Sequence, residues 1–217
     1  MVIGFRRRFL FIHVPKCAGE SIAAILRNEA NGGVQLDRKH ATWSDAKAIL
    51  GEDLASFTTM AAVRNPFDQV VSFYEHLRKP LWMDAAAIER QFPGTGGRIM
   101  PVWASELAIE LEFPAWVRRV YSSAAPEANR RIFADLGRWL SGADGRIGVQ
   151  RILRYERLAE DWADTARELG LQGDLPHENA SRRDRGPYAY RVRYDTATRA
   201  IIENHFAATL AAFSYAF

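Results

Sequence analysis

A three-layer α/β/α fold with a central parallel sheet is predicted by three features of this chain. A nearly unbroken apolar run, Phe9 to Val14, leads through a loop with proline and glycine into apolar residues at helical spacing. The same strand, loop, helix order recurs from Thr58 to Leu77. Strand and helix patterns then keep alternating toward the C-terminus, which calls for parallel strands joined by crossover helices. At 217 residues the chain is expected to form a single domain, 1–217, with a sizeable core.

Each element has its own signal. Phe9-Leu10-Phe11-Ile12-His13-Val14 has the continuous apolarity of a parallel strand buried on both faces and is read as the first strand. Arg6, Arg7 and Arg8 before it give a superficial likeness to a signal peptide. The run stops at Pro15-Lys16 without a small-residue cleavage site, so a cytoplasmic protein is expected. From Glu20, the positions Ile22, Ile25 and Leu26 predict a helix that Asn31-Gly32-Gly33 ends. Val34 to Leu36 reads as a short strand, Ser44 as the cap of a short helix ending at Gly51, and the loop Asp37 to Trp43 carries His40. Thr58 to Val63 reads as a strand. Asn65-Pro66 suits an N-cap followed by proline in the first turn, opening a helix through Leu77. Residues 83 to 141 read as mostly helical, with breaks at 93 to 97, Pro114 and Pro126. A strand pattern returns at Ile147 to Tyr155, then a helix at Leu158 to Leu169 and a polar loop at Pro176 to Arg193. A last helix runs from Thr196 to Ala212, before the aromatic tail Phe213 to Phe217.

Composition narrows the class. Apolar residues make up 48% and charged residues 25%, as in soluble globular proteins. The longest apolar runs fall far short of the ~20 residues a bilayer span needs, so no transmembrane segment is expected. The net charge is only +3 and the arginines are spread along the chain. A nucleic-acid binder would more often concentrate them on one face, so no nucleic-acid partner is expected. Cys17 is the only cysteine, which excludes an internal disulfide.

Two segments carry chemistry. Pro15-Lys16-Cys17-Ala18-Gly19-Glu20-Ser21 joins the first strand to its helix. Unpaired N–H groups and the helix dipole favour an anion there, Gly19 admits close backbone approach, Lys16 adds a mobile cation and Ser21 a hydroxyl. On its own the loop reads equally as a tight turn with a solvated lysine. It is not a Walker A sequence, and no apolar strand ends in an aspartate that would hold magnesium. In the second segment Arg64 ends a strand and Ser72 follows about two helical turns on, an arrangement able to grip a second phosphate. Alone, Arg64 reads equally as an ion-pair or carbonyl-capping residue and Ser72 as a small packing residue. Cys17 in an anion loop invites a phosphatase reading, but the arginine required six residues later is replaced by Ala23.

Phe11-Ile12-His13-Val14-Pro15-Lys16-Cys17-Ala18-Gly19-Glu20-Ser21-Ile22 resembles the 5'-phosphosulfate-binding loop of carbohydrate-type sulfotransferases that use 3'-phosphoadenosine-5'-phosphosulfate (PAPS). Val63-Arg64-Asn65-Pro66-Phe67-Asp68-Gln69-Val70-Val71-Ser72-Phe73-Tyr74 resembles their 3'-phosphate-binding segment. Weaker similarity continues through Ile152 to Leu158, Leu175 to Ser181 and the aromatic tail. The resemblance implies a P-loop-NTPase-like sulfotransferase fold, PAPS as co-substrate, adenosine-3',5'-bisphosphate as product, no metal, and a hydroxyl-bearing acceptor such as a glycan or small metabolite. The position before Ser21, usually threonine in that family, is Glu20 here, so its backbone N–H rather than its side chain is the expected ligand.

Sulfuryl transfer needs alignment, charge at the leaving oxygen and a base for the acceptor proton, the last worth about 10²–10⁴-fold. Lys16 is the candidate for that charge. His40, in Lys39-His40-Ala41-Thr42, resembles the family's segment that carries a catalytic histidine, and is the expected base. His177 is the alternative. His13 is expected in the core, and His76 and His205 on helices as surface or packing residues. Asn179, Ser181 and Arg183 are expected to close over the nucleotide, though that stretch reads also as a solvated loop. Two rival readings stand beside this one: a phosphotransferase dependent on magnesium and ATP, and a polyanion binder using Arg6 to Arg8 and the arginines of 182–185.

Overall fold

The computed structural model describes residues 1–122, 131–175, 186 and 188–217. Five strands form one sheet: β1 (Val2–Gly4), β2 (Phe9–Ile12), β3 (Val34–Gln35), β4 (Thr58–Val63) and β5 (Arg151–Arg154), in the order β3-β1-β2-β4-β5. Among the described residues ten α-helices accompany them. α1 (Gly19–Leu26), α2 (Trp43–Leu50) and α3 (Pro66–Leu77) belong to the first half. α4 (Ala85–Gln91), α5 (Val102–Glu110), α6 (Phe113–Tyr121), α7 (Leu136–Leu140), α8 (Leu158–Leu169), α9 (Thr196–His205) and α10 (Ala207–Phe213) follow.

The sheet is mixed, not wholly parallel. β2 pairs parallel with β4 (Phe9 opposite Thr58) and β4 with β5 (Met60 opposite Arg151), as the crossover argument requires. β1, however, pairs antiparallel with both β2 and β3. Residues 5–8 make a short hairpin turn, so the run from Phe9 is the second strand, and the buried Val2 and Ile3 form another beside it. The arginine triplet sits in that turn. Arg6 donates to the Ala30 carbonyl (2.5 Å) and Arg8 to that of Ser56 (3.2 Å). These contacts weaken the polyanion-binder reading.

β4, α3 and α8 match the predicted bounds. Asn65 caps α3, its Oδ1 accepting from the Phe67 N–H (3.1 Å), with Pro66 in the first turn. Elsewhere tertiary structure changed the outcome. Thr42, not Ser44, caps α2, because Thr42 and Asp45 form a reciprocal capping box. Ser44 Oγ donates instead to the Ser141 carbonyl (3.0 Å). Pro114 sits in the first turn of α6, where its missing N–H costs nothing, and so opens a helix rather than breaking one. Strand structure between Ile147 and Tyr155 is confined to β5. The predicted last helix is two, α9 and α10, divided at Phe206, which packs on Tyr121 (5.8 Å) while His205 donates to the Phe133 carbonyl (2.7 Å). Ala189–Arg193, predicted as loop, forms a 3₁₀ turn; Pro126 and most of the polar loop lie outside the described residues.

Two buried clusters result. One joins the sheet to α1, α7 and α8; the other gathers α3, α5, α6 and α9 around Phe67, Trp116 and Phe133. α3 buries Phe67, Val70, Tyr74 and Leu77 and turns Asp68, Ser72 and His76, on its opposite stripe, to a large cleft, which Lys79 lines just past the helix end. Among the described residues no helix is long and apolar enough to cross a membrane.

Candidate active site

The cleft, about 2580 Å³, opens at the β2–α1 loop. Lys16 (φ +63°) and Ala18 (φ +59°) both occupy the left-handed region, unusual for residues with a Cβ. Such turns direct successive N–H groups toward one point, forming an anion-binding nest. The N-cap of α1, Ala18, supplies no side-chain acceptor, so the helix start presents its N–H groups and dipole to the cleft. Glycine is required at 19: a Cβ there would lie 2.2 Å from Cδ2 and 2.3 Å from Nε2 of His13. His13, 4% exposed, is therefore the buried packing residue beneath the loop.

Two further side chains hold this loop. Gln69 Nε2 donates to the Pro15 carbonyl (2.9 Å), and Arg64 Nη1 to the Lys16 carbonyl (3.1 Å). Cys17 points inward, fully buried, with its Sγ 3.5 Å from the Pro15 oxygen. Burial pushes its thiol pKa up to about 12, which outweighs the opposing pull of Arg64 and Lys16. A protonated thiol facing away from the cleft is no nucleophile. Glu20 turns its carboxylate to Lys39, which neutralises it beside the anion loop.

Arg64 is 4% exposed and heavily engaged. Its Nε donates to Asp68 Oδ2 (2.8 Å), its Nη2 lies 2.6 Å from the same oxygen, and the guanidinium stacks 3.9 Å from the Tyr155 ring. The ion-pair reading of Arg64 therefore holds, yet the residue also lines the cleft. Ser72 lines it too, and its hydroxyl makes no hydrogen bond among the described residues. Asn65 anchors this segment to the tail, its Nδ2 donating to the Ala216 carbonyl (2.8 Å) while Glu156 accepts both the Asn65 N–H (2.7 Å) and the Tyr215 hydroxyl (2.9 Å).

His40 faces the same cleft from the β3–α2 loop. Its Nδ1 lies 2.9 Å from the His13 carbonyl oxygen. A carbonyl only accepts, so Nδ1 carries the proton and Nε2 keeps its lone pair. The ring packs edge-on against His13 (4.7 Å) and Trp139 (6.2 Å). Burial lowers its pKa below 6.5, against the hydrogen bond to His13, so the imidazole is neutral at pH 7 and able to take a proton.

Pro15, Lys16, Ala18, Gly19, Glu20, Ser21, His40, Arg64 and Ser72 thus meet at one cleft; Cys17 does not reach it. Asn179, Ser181, Arg183 and His177 lie outside the described residues. His205 is a packing residue, as the sequence suggests, but His76 lines the cleft one turn beyond Ser72. The i, i+4 spacing of Ser72 and His76 becomes a signal only once the buried stripe of α3 is known. Among the described residues no cluster of histidine, cysteine or carboxylate side chains is arranged to hold a metal ion. A neutral imidazole beside an N–H-rich loop and an adjoining arginine suits transfer of an anionic group between oxygens.

No curated protein and no solved structure matches the chain. The model of the Sulfotransferase family does, over residues 1–209. With nearly its whole length matched, the chain belongs to the sulfotransferase family.

Proposed function

We propose that this sulfotransferase takes its sulfuryl group from PAPS and transfers it to the hydroxyl of a glycan or small metabolite. It would work as one cytoplasmic domain, 1–217, with a three-layer P-loop-like architecture and without metal or nucleic acid. The observation that carries the reading is the hydrogen bond from Arg64 to the Lys16 carbonyl (3.1 Å). It joins the loops after two neighbouring parallel strands, so two anion pockets share one cleft, as a nucleotide phosphorylated at both ends requires.

Each residue then has a role. The N–H groups of the loop from Pro15 to Ser21 and the Lys16 ammonium hold the 5'-phosphosulfate, with the Glu20 side chain turned away to Lys39. Arg64 and the Ser72 hydroxyl hold the 3'-phosphate, and Asn179, Ser181 and Arg183 close over the nucleotide. His40 Nε2 accepts the acceptor's proton as its oxygen bonds to sulfur. Lys16 stabilises the charge left on the phosphate oxygen when the old S–O bond breaks.

Thermal shift with adenosine-3',5'-bisphosphate, ATP and AMP tests the donor. At 100 times its Kd the bisphosphate adds about 2.7 kcal/mol, roughly 5–10 °C for a chain of this size. Stabilisation by ATP but not by the bisphosphate overturns the assignment.

A further inference from the structure

Past Ser72 the cleft continues along α3 into an arm that neither anion pocket uses. His76 stands where the arm begins. It is near enough to Lys16, Lys39 and His40 for their charges to act on its ring, adding to the burial that is the main cause of its lowered pKa. The ring packs against Phe73 (6.5 Å) and Phe92 (5.2 Å), and its nitrogens make no hydrogen bond among the described residues. A half-buried, neutral imidazole on the cleft lining, with neither nitrogen used by the protein, offers a donor and an acceptor to a bound molecule.

The walls beyond it are apolar. Phe92, Met83 and Trp103 line the arm, and Trp82 and Met100 extend it outward, 61% and 55% exposed. Two charged side chains border these apolar walls. Lys79 donates to Gln91 Oε1 (2.6 Å) and lies over the Phe92 ring (4.7 Å), while Glu75 faces Arg193 (3.5 Å).

Resting on the PAPS-dependent reading above, we propose that this arm is the acceptor site and takes an uncharged hydroxyl compound with an apolar body, an alcohol or phenol, oriented by His76. His76 hydrogen-bonds the acceptor hydroxyl and holds it toward His40. The acceptor oxygen then bonds to sulfur, its proton passes to His40 Nε2, and the electron pair of the broken S–O bond leaves on the nucleotide phosphate.

The test uses 2-naphthol, cellobiose and a chondroitin tetrasaccharide as probes. Saturation-transfer NMR is recorded with adenosine-3',5'-bisphosphate bound, and sulfate transfer is followed from radiolabelled PAPS. The expected result is saturation of, and transfer to, 2-naphthol alone. His76→Ala and Phe92→Ala should each weaken naphthol binding about tenfold, or ~1.4 kcal/mol, with the Kd of the bisphosphate unchanged. His76→Gln, which keeps a hydrogen-bonding group, should restore most of it. Trp82→Ala, at an exposed position, carries the same test should those variants unfold. Binding of a saccharide in place of naphthol, or naphthol binding indifferent to all of these substitutions, overturns the proposal while leaving the donor assignment intact. Failure of the wild-type protein to bind the bisphosphate removes both.

Discussion

Truncating Arg64 separates its two roles, because the structure gives it a structural partner that can be removed as well. Its side chain is 5% exposed and that of Asp68 16%, with Nη2 and Oδ2 2.6 Å apart. Arg64→Ala strands a mostly buried carboxylate and deletes the bond to Lys16 and the stack on Tyr155. Breaking such a pair costs about 3–5 kcal/mol. At roughly 2–4 °C per kcal/mol for a chain of this length, Tm should fall by about 6–20 °C. Removing the orphaned carboxylate in Arg64→Ala/Asp68→Ala should return about 1–3 kcal/mol, its desolvation penalty. Nucleotide affinity should not follow. The lost charge-assisted bond to phosphate weakens adenosine-3',5'-bisphosphate roughly 10- to 150-fold in the single and the double variant alike. Asp68→Ala alone should lose stability and keep its affinity. Scanning fluorimetry and titration calorimetry on the four proteins measure both quantities. A double variant that binds the bisphosphate as tightly as wild type would make Arg64 scaffolding only, and the second anion pocket would have to be abandoned.

Gly19→Ala forces a methyl to within 2.2 Å of the His13 ring, so about 1–3 kcal/mol of stability and most nucleotide binding should be lost, and His13→Ala in that background should recover part of the Tm; unchanged melting and binding in Gly19→Ala would contradict the packing. His40→Gln should lower turnover by about 10²–10⁴ while the bisphosphate still binds. As the proposed base, His40 works unprotonated, and burial holds its pKa below 6.5. Activity should therefore be flat near pH 7 and fall only as pH drops through that lowered value; an acid limb centred above 6.5 rules out His40. Cys17, its thiol pushed up to about 12, should resist iodoacetamide at pH 8 in the native protein and react promptly in urea, and rapid native labelling would reopen the nucleophile reading.

Legibility in the sequence followed how local each signal was. β4 and α3 could be read to the residue because a single stretch holds the apolar run, the cap and the first-turn proline. β1 could not. Three residues offer no periodicity, and their strand exists only because Val2 faces Phe11 on one side and Gln35 on the other. The division of the last helix has no glycine or proline to announce it; the packing of Phe206 and the His205 bond come from distant chain. The same limit applied at the site. Lys16 and Arg64 were legible as strand-end cations, but His76 was not, since spacing alone cannot say which stripe of α3 meets the core and which the cleft. Once Phe67, Val70 and Tyr74 are known to be buried, Ser72 and His76 follow as the opposite face.

Arg64 is fixed from several directions at once, and this bears on how the cleft would bind. Asp68 and Tyr155 hold its guanidinium, and the Asn65 bonds to Glu156 and Ala216 hold the backbone beside it. The Lys16 loop is held in turn by Arg64 and Gln69, next to the left-handed conformations at 16 and 18. The spacing between the two proposed anion pockets is therefore set by the fold. Binding should spend little free energy on ordering them, and selection should fall on ligands whose two charged ends match that separation. ATP and the bisphosphate present similar charge in different places. A rigid pair of pockets can tell them apart; two flexible loops could not.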